Sequence, residues 1–212
     1  MKHSDHLVLV LDDNLAILTG LERLLTANGY SVRLHQDPDQ FLAAGPPDVP
    51  ACLLLDNQLE ARLTGIEVHA ELIRRDWSLP TIFLTAHWNV QSVVAAIQSG
   101  ADGFLTKPYD PNELLLAVAA ALERAQAAHC LKREIRNAQA RAASLTKRER
   151  EIVRLVLAGK LNKDIADELG LALVTVKVHR GRAMAKLGAG NPAELARIAD
   201  QAASILKSKR RT

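Results

Sequence analysis

The chain has 212 residues, of which 48% are hydrophobic and 24% charged, a composition that excludes a disordered or fibrous protein and suits one large globular domain or two small ones. The formal net charge of +3 is unevenly distributed: residues 1–122 carry −8, residues 123–144 carry +3 and residues 145–212 carry +8. We therefore expect an acidic module joined to a basic module whose charge suits nucleic acid.

The sequence also bears on the location of the protein. Its apolar runs at 7–11 and 51–55 have five residues and the longest, at 114–122, has nine, which is far fewer than a bilayer span requires, and no signal-peptide core follows the N-terminus. Two cysteines, Cys52 and Cys130, are too few for a disulfide framework. We expect a reduced, cytoplasmic protein without a membrane partner.

Residues 1–122 alternate short apolar runs with longer amphipathic segments. This alternation is typical of βα units around a parallel sheet. Five units predict an α/β, flavodoxin-like (βα)5 domain, whose functional residues lie at the carboxyl ends of the strands. The predicted strands are 7–11, 31–35, 51–55, 80–84 and 103–105, and the predicted helices are 15–27, 38–44, 65–75, 90–99 and 112–124.

The remainder of the chain is predicted to be helical. Residues 123–144 are rich in alanine and lack glycine and proline, which predicts a semi-rigid helical linker. Residues 145–212 predict an all-α, four-helix domain with a helix-turn-helix outline. Its first helix begins with a capping box from Thr146 to Glu149, and Asn162 is the predicted cap of the second. Glycines at 159, 170 and 188 end the first three helices, the third is 174–187, and the fourth follows Asn191-Pro192 and ends in a basic tail at 207–211.

Three carboxylates follow strands that are neighbours in the predicted sheet. Asp12 and Asp13 come after the first strand, and Asp56 comes after the third. Clustered carboxylates repel one another unless a cation joins them, and oxygen ligands with room for water favour Mg²⁺. Thr85 ends the fourth strand and Lys107 follows the fifth, which adds a hydroxyl and an ammonium group. Together these groups predict a site that can stabilise an aspartyl-phosphate.

These residues belong to a longer pattern that covers 7–122. It comprises Leu-Val-Leu-Val-Leu-Asp12-Asp13, Leu-Leu-Leu-Asp56, Phe-Leu-Thr85-Ala86 and Phe104-Leu-Thr-Lys107-Pro108. The segment resembles the receiver domain of two-component response regulators. The resemblance implies that Asp56 accepts a phosphoryl group from a histidine kinase. It also implies a Mg²⁺ ion held by Asp12, Asp13 and Asp56, with the backbone carbonyl of Gln58 as a further ligand.

The resemblance assigns roles to three further residues. Lys107 would pair with the phosphoryl group. Thr85 would move toward that group, and Phe104 would rotate inward with it. Phosphorylation would thereby remodel the face formed by the segments 90–99, 103–105 and 112–124, and two chains would dimerise through that face. We expect a population shift between two conformations of one fold.

The sequence departs from the receiver pattern after Asp56. The family has a proline four residues after the phosphorylated aspartate and a glycine eight residues after it. Here Glu60 occupies the first position, and Gly65 lies nine residues after Asp56, so the loop has one residue more. We expect Gln58 and His87 to flank the phosphoryl group and to govern its hydrolysis. The neighbouring Trp88 could be a core residue or a rim residue of the switching loop.

The basic part carries a second pattern. It comprises Leu145-Thr-Lys-Arg-Glu-Arg-Glu-Ile-Val, Gly159-Lys-Leu-Asn162-Lys163-Asp-Ile-Ala and Thr175-Val-Lys177-Val-His179-Arg-Gly-Arg-Ala-Met-Ala-Lys-Leu187. From about residue 145 to residue 200 the chain resembles the LuxR-type helix-turn-helix. With the receiver in front, the whole chain resembles transcriptional regulators of the FixJ/NarL type, which are not enzymes. The resemblance implies promoter DNA as a partner, and RNA polymerase is a candidate further partner.

The third helix of this domain is the predicted recognition helix. Val176, Ala183 and Leu187 share the face that would pack into the bundle. The opposite face is small and apolar with flanking cations, which suits close entry into the major groove. The resemblance places base contacts at Lys177, Val178 and Gly181. The phosphate candidates are Lys163, Thr175, His179 and Arg182, with Arg180 to the side, and a packing role for His179 is an equal alternative. One such helix contacts few bases, so we expect dimers on paired half-sites.

Three other functions fit the sequence less well. A phosphohydrolase of the haloacid-dehalogenase type needs a second aspartate two residues after the nucleophile, where this chain has Gln58. A phosphorylation-independent regulator would use its receiver only for dimerisation, but all five pocket residues are present. A receiver-only adaptor would use its basic module to bind protein, which the complete helix-turn-helix pattern opposes.

Overall fold

The computed structural model describes residues 6–59, 62–86 and 100–208, with the side chains of 202–208 left out. The chain divides into two units, Met1–Cys130 and Leu131–Thr212. Several predictions lie outside the described residues: those for Glu60, His87, Trp88, the helix at 90–99 and the side chains of the basic tail at 207–211.

The first unit is built on one parallel sheet. Its strands are β1 (Leu7–Leu11), β2 (Ser31–His35), β3 (Ala51–Asp56), β4 (Thr81–Thr85) and β5 (Gly103–Thr106). They are arranged in the order β2-β1-β3-β4-β5. This is the flavodoxin-like order, so the predicted fold class is confirmed. The register pairs Leu11 with Leu55, which brings the residues after β1 beside the end of β3.

Helices cover both faces of this sheet. They are α1 (Leu15–Ala27), α2 (Pro38–Ala43), α3 (Gly65–Arg74) and α4 (Pro111–Ala143). Because side chains alternate across a strand, the core has two layers. Val8 and Val10 pack in the layer that contains residues of α1 and α4. Leu9 and Leu11 pack in the other layer, which contains residues of α2 and α3.

The helix α4 contributes to the cores of both units. It has 33 residues and joins the predicted helix at 112–124 to the predicted linker helix without a break. Leu114, Val118 and Leu122 are buried in the core of the first unit, and Ala138 is buried in that of the second. Among the described helices, α4 alone has the length and apolar composition of a membrane span. The packing of Leu114, Val118 and Leu122 in the core of the first unit explains why these three apolar residues occur in the helix.

The second unit consists of short helices joined by tight turns. After the end of α4 come α5 (Lys147–Leu157), α6 (Asn162–Leu169), α7 (Leu173–Leu187) and α8 (Pro192–Ser208). Three glycines follow the first three of these helices with φ of +79°, +61° and +70°, a conformation that glycine adopts without a steric penalty: Gly159, Gly170 and Gly188. The core includes Ile152, Ile165, Val176, Leu187 and Leu195.

The two predicted caps of this unit have different outcomes. The capping box of α5 is confirmed, because Thr146 and Glu149 exchange hydrogen bonds at 2.8 and 3.2 Å. The prediction that Asn162 caps α6 is wrong. Leu161 occupies the cap position, and its N–H donates to the carboxylate of Asp164 at 3.1 Å. Asn162 is the first helical residue, and its side-chain oxygen accepts a hydrogen bond from Arg180 of α7.

Candidate metal centre and nucleic-acid interface

An acidic cluster lies at the carboxyl edge of the sheet. Asp12 and Asp13 follow β1, and Asp56 is the last residue of β3. Each side chain offers one oxygen, and the three oxygens lie within 4.8 Å of one another. Asp12 is fully buried and Asp56 is 7% exposed. Such a set of hard oxygen ligands fits a divalent cation that keeps some of its water.

The ammonium group of Lys107 joins two members of this cluster. Its Nζ lies 2.7 Å from Oδ2 of Asp12 and 3.2 Å from Oδ2 of Asp56. The N–H of Lys107 donates to the carbonyl of Thr85 at 2.7 Å, which ties the residue after β5 to the end of β4. Thr85 is itself buried. The structure therefore brings the predicted lysine and carboxylates into contact, with Thr85 at the same edge of the sheet.

The environment of Asp56 disfavours its negative charge in the absence of further cations. Burial raises the pKa of this carboxyl above its ordinary value, and the nearby Asp12 carboxylate acts in the same direction. Lys107 and the N–H of Gln58, which donates to Asp56 Oδ1 at 3.2 Å, oppose these effects and lower the pKa. The site can thus accommodate additional positive charge, which agrees with a metal ion among these carboxylates.

Gly65 packs against the backbone that carries Asp56. A Cβ at position 65 would lie 2.2 Å from the carbonyl oxygen of Asp56 and 2.9 Å from the Cα of Asn57. The N–H of Gly65 donates to the carbonyl of Asn57 at 3.3 Å. The loop therefore returns to the strand end so closely that only glycine fits, although the glycine lies one residue later than in the family pattern.

The remaining predicted residues of the first unit lie nearby. The side chain of Gln58 is exposed, while its backbone faces Asp56. Phe104 lies on β5 and is half-buried, and it packs against the core layer that contains Phe83 and Val68. Phe104 is therefore placed on the sheet face that carries α2 and α3.

The helix α7 has the two faces that the sequence predicts. Val176, Ala183 and Leu187 are buried in the bundle. Small apolar residues and cations occupy the exposed face, which consists of Lys177, Val178, Gly181, Arg182 and Ala185. A Cβ at position 181 would have no atom within 4 Å, so that part of the surface is open. This surface has the shape and charge of a helix that enters a DNA groove.

The flanking candidates differ in exposure and in contacts. Lys163 on α6 is exposed, whereas Thr175 and His179 are half-buried. Arg180 is half-buried, and its Nη1 donates to the Asn162 side-chain oxygen at 2.6 Å. The guanidinium of Arg180 is therefore held against the start of α6. The predicted DNA-contacting residues thus lie on α6 and α7.

An ion pair fixes the end of α7 to α5. The Nζ of Lys186 lies 2.7 Å from Oε2 of Glu149, whose side chain is only 3% exposed. The hydrogen bond from Lys186, together with that from the N–H of Thr146, lowers the pKa of Glu149 to about 2. Glu149 therefore keeps its charge and stabilises both the start of α5 and the end of α7.

Comparisons with known proteins identify two domain families in this chain. A family described as "Response regulator receiver domain" matches residues 8–119, and one described as "Bacterial regulatory proteins, luxR family" matches residues 143–199. The first match covers more than half of the chain. The chain belongs to the response regulators. It is a DNA-binding transcriptional regulator of the two-component type, so its domains imply a kinase partner and DNA binding.

Several known proteins are similar to this chain over most of its length. Nodulation protein W of Bradyrhizobium diazoefficiens is 36% identical over 92% of this chain and 85% of its own length. The transcriptional regulatory protein FixJ of Rhizobium meliloti is 33% identical over 92% of this chain and 96% of its own length. The solved structure of the response regulator StyR is 33% identical, the match covers 93% of this chain and all of the chain in that structure, and the TM-score is 0.84.

Sequence reasoning missed the pairings that hold the second unit of this response regulator together. The sequence indicates Glu149 as a capping residue and gives no sign of its hydrogen bond with Lys186. Arg141 was not singled out, although it contacts the carbonyl of Leu187. These partners lie 37 and 46 residues apart in the chain, so no local pattern in the sequence could indicate them.

Proposed function

We propose that Asp56 is the phosphoacceptor of this response regulator and that its phosphorylation controls DNA binding. The observation that carries the proposal is the position of Lys107, whose Nζ bridges Asp12 and Asp56. A cation held between two carboxylates is well placed to balance the charge of a phosphoryl group on one of them. Asp12, Asp13 and Asp56 would hold Mg²⁺, with the backbone carbonyl of Gln58 as a further ligand.

The chemistry is a phosphoryl transfer from a phosphohistidine of the sensor kinase. A carboxylate oxygen of Asp56 attacks the phosphorus, the P–N bond breaks, and its electron pair returns to the imidazole, which takes up a proton. The product is an acyl phosphate on Asp56. When bound, Mg²⁺ would supply positive charge to the phosphoryl oxygens, and the ammonium group of Lys107 would add its own.

The output is a change in association with DNA. Thr85 hydrogen-bonds the phosphoryl group, and Phe104 repacks against the sheet as Thr85 moves. The altered face of the receiver dimerises, which places two recognition helices on paired half-sites. Lys177, Val178 and the backbone at Gly181 approach the bases.

The phosphate contacts and the partners complete this proposal. Lys163, Thr175, His179 and Arg182 contact phosphates, and Arg180 supports them from the side. The partners are a histidine kinase, promoter DNA, a second copy of this chain and RNA polymerase.

The proposal also assigns a function to each segment of the chain. Residues 1–122 act as the receiver, residues 123–144 as the helical linker, and residues 145–212 as the DNA-binding domain. The protein works in the cytoplasm, where the DNA is, and without a membrane partner. The proposal does not include phosphohydrolase activity of the haloacid-dehalogenase type, because the residue two positions after Asp56 is Gln58, whose amide cannot serve as the general acid of that reaction.

Solution mass measured by light scattering tests this proposal. Beryllium fluoride with Mg²⁺ mimics the phosphoryl group on an aspartate. We expect it to convert the wild-type chain from monomer to dimer and to leave Asp56→Ala monomeric. Asp48→Ala, which removes an exposed carboxylate from another part of the receiver, is the matched control and should respond like wild type. An unchanged mass in the wild-type chain would instead indicate a phosphorylation-independent regulator.

A further inference from the structure

The last turns of α4 belong to the DNA-binding unit. Ala138 is 2% exposed, and Ala142 packs against the same core cluster that contains Leu187 of the recognition helix α7. Both residues precede position 145, where the helix-turn-helix pattern begins. The segment therefore does more than connect two domains, because Ala138 and Ala142 belong to the hydrophobic core of the DNA-binding unit.

Arg141 in this segment contacts the C-terminal end of α7. Its Nη1 donates to the carbonyl of Leu187, the last residue of the helix, at 3.0 Å. The next residue is Gly188, and a Cβ there would lie 2.8 Å from the same nitrogen. Carbonyls at a helix C-terminus lack partners within the helix, and a cation placed there also complements the helix dipole. Arg141 thus satisfies a terminal carbonyl and neutralises the end of α7.

A second cation holds the same end of the helix. The Nζ of Lys186 lies 2.7 Å from Glu149 and 3.3 Å from the carbonyl of Ser144. At the opposite end, the cap position of α7 is occupied by Ala172, whose side chain cannot cap. Among the described residues, Arg141 and Lys186 therefore make side-chain contacts at the C-terminal end of α7, whereas its N-terminal end has no side-chain cap.

We propose that Arg141 is a positioning residue for DNA binding. Its guanidinium holds the C-terminal end of α7 and thereby sets the direction in which Lys177, Val178 and Arg182 point. Arg141 itself contacts protein rather than DNA. The proposal goes beyond the proposed function, because it assigns a role in DNA binding to the helix that precedes the helix-turn-helix, and it does not depend on phosphorylation of Asp56.

Three full-length variants test this role. Arg141→Ala removes the contact, Arg141→Lys keeps a cation that can reach the Leu187 carbonyl, and Arg136→Ala removes the same charge from an exposed position on the same helix. Fluorescence anisotropy, with Mg²⁺ and beryllium fluoride present for every variant, measures the affinity, over a range of salt concentrations, for a duplex that the wild-type protein has enriched from a random-sequence pool under the same conditions. Hydrogen exchange measures the protection of the amides at 185–189.

We expect Arg141→Ala to bind about three- to tenfold more weakly than Arg136→Ala, with the salt dependence of the wild-type protein. Faster exchange should be confined to the end of α7, and Arg141→Lys should restore most of the affinity. A loss of affinity with a salt slope lower by about one would show a direct phosphate contact and overturn the proposal. Equal affinities for Arg141→Ala and Arg136→Ala would overturn it as well.

Discussion

At the scale of single residues, Gly65 shows how a close backbone contact constrains the acidic site. The methyl group of alanine would overlap the carbonyl of Asp56, and the backbone must shift to relieve this overlap. We expect Gly65→Ala to reduce the apparent affinity for Mg²⁺ with beryllium fluoride about tenfold or more, because Asp56 would leave its position beside Lys107. Gly20→Ala is the control, since a Cβ there has open space.

Tryptophan fluorescence or calorimetric titration with Mg²⁺ and beryllium fluoride measures this affinity. Wild-type affinity in Gly65→Ala would mean that the loop can move away without disturbing the carboxylates. The additional residue between Asp56 and Gly65 would then explain why the loop can move.

Glu149 links the stability of the DNA-binding unit to pH. Its folded-state pKa of about 2 lies below the ordinary value of 4.5, so its contribution to stability is fully present above pH 4.5 and is lost as the pH falls toward 2. We expect Glu149→Gln to lower the thermal unfolding midpoint at pH 7 and to differ less and less from wild type below pH 4.5. Thermal melts across this range measure the effect, with the exposed Glu22→Gln as control. A difference that is the same at every pH would argue against the Lys186 ion pair.

At the scale of elements, the recognition helix α7 contains an exposed glycine in its middle. Gly181 lies in open space at helical geometry, and glycine destabilises a helix by about 1 kcal/mol relative to alanine. We expect Gly181→Ala to raise the unfolding midpoint of the DNA-binding unit and to weaken DNA binding, because the added methyl group occupies the surface that approaches the bases. Calorimetry and anisotropy measure the two effects, and Gly20→Ala on α1 should stabilise without any effect on DNA. Stronger DNA binding by Gly181→Ala would contradict a need for close approach.

At the scale of the whole molecule, the chain has two units with separate hydrophobic cores. We expect two unfolding transitions in calorimetry. Mg²⁺ with beryllium fluoride should raise the receiver transition alone, because a ligand stabilises only the unit that binds it. Glu149→Gln should lower only the other transition. A single transition that responds as a whole to both changes would show that the two cores unfold together.

The strands, most helices and the acidic site could be predicted from the sequence because each has a local signal. Short apolar runs between amphipathic segments indicated the strands, and glycines indicated the helix ends. Asp12, Asp56 and Lys107 could be placed together because parallel strands end at one edge of a sheet. The same local reasoning wrongly predicted Asn162 as the cap of α6, because a polar residue after a loop is a common helix cap. In the structure the Asn162 side chain accepts a hydrogen bond from Arg180 instead.

The sequence by itself determined the family, the two modules and the charged groups of the proposed phosphoacceptor site, because these follow from motifs and from the periodicity of apolar residues. Only the tertiary structure decided which partners hold those groups in place. Gly65 meets the carbonyl of Asp56, and Arg141 meets that of Leu187 across 46 residues. Such contacts depend on the path of the folded backbone through space, and the spacing of residues along the chain does not indicate that path.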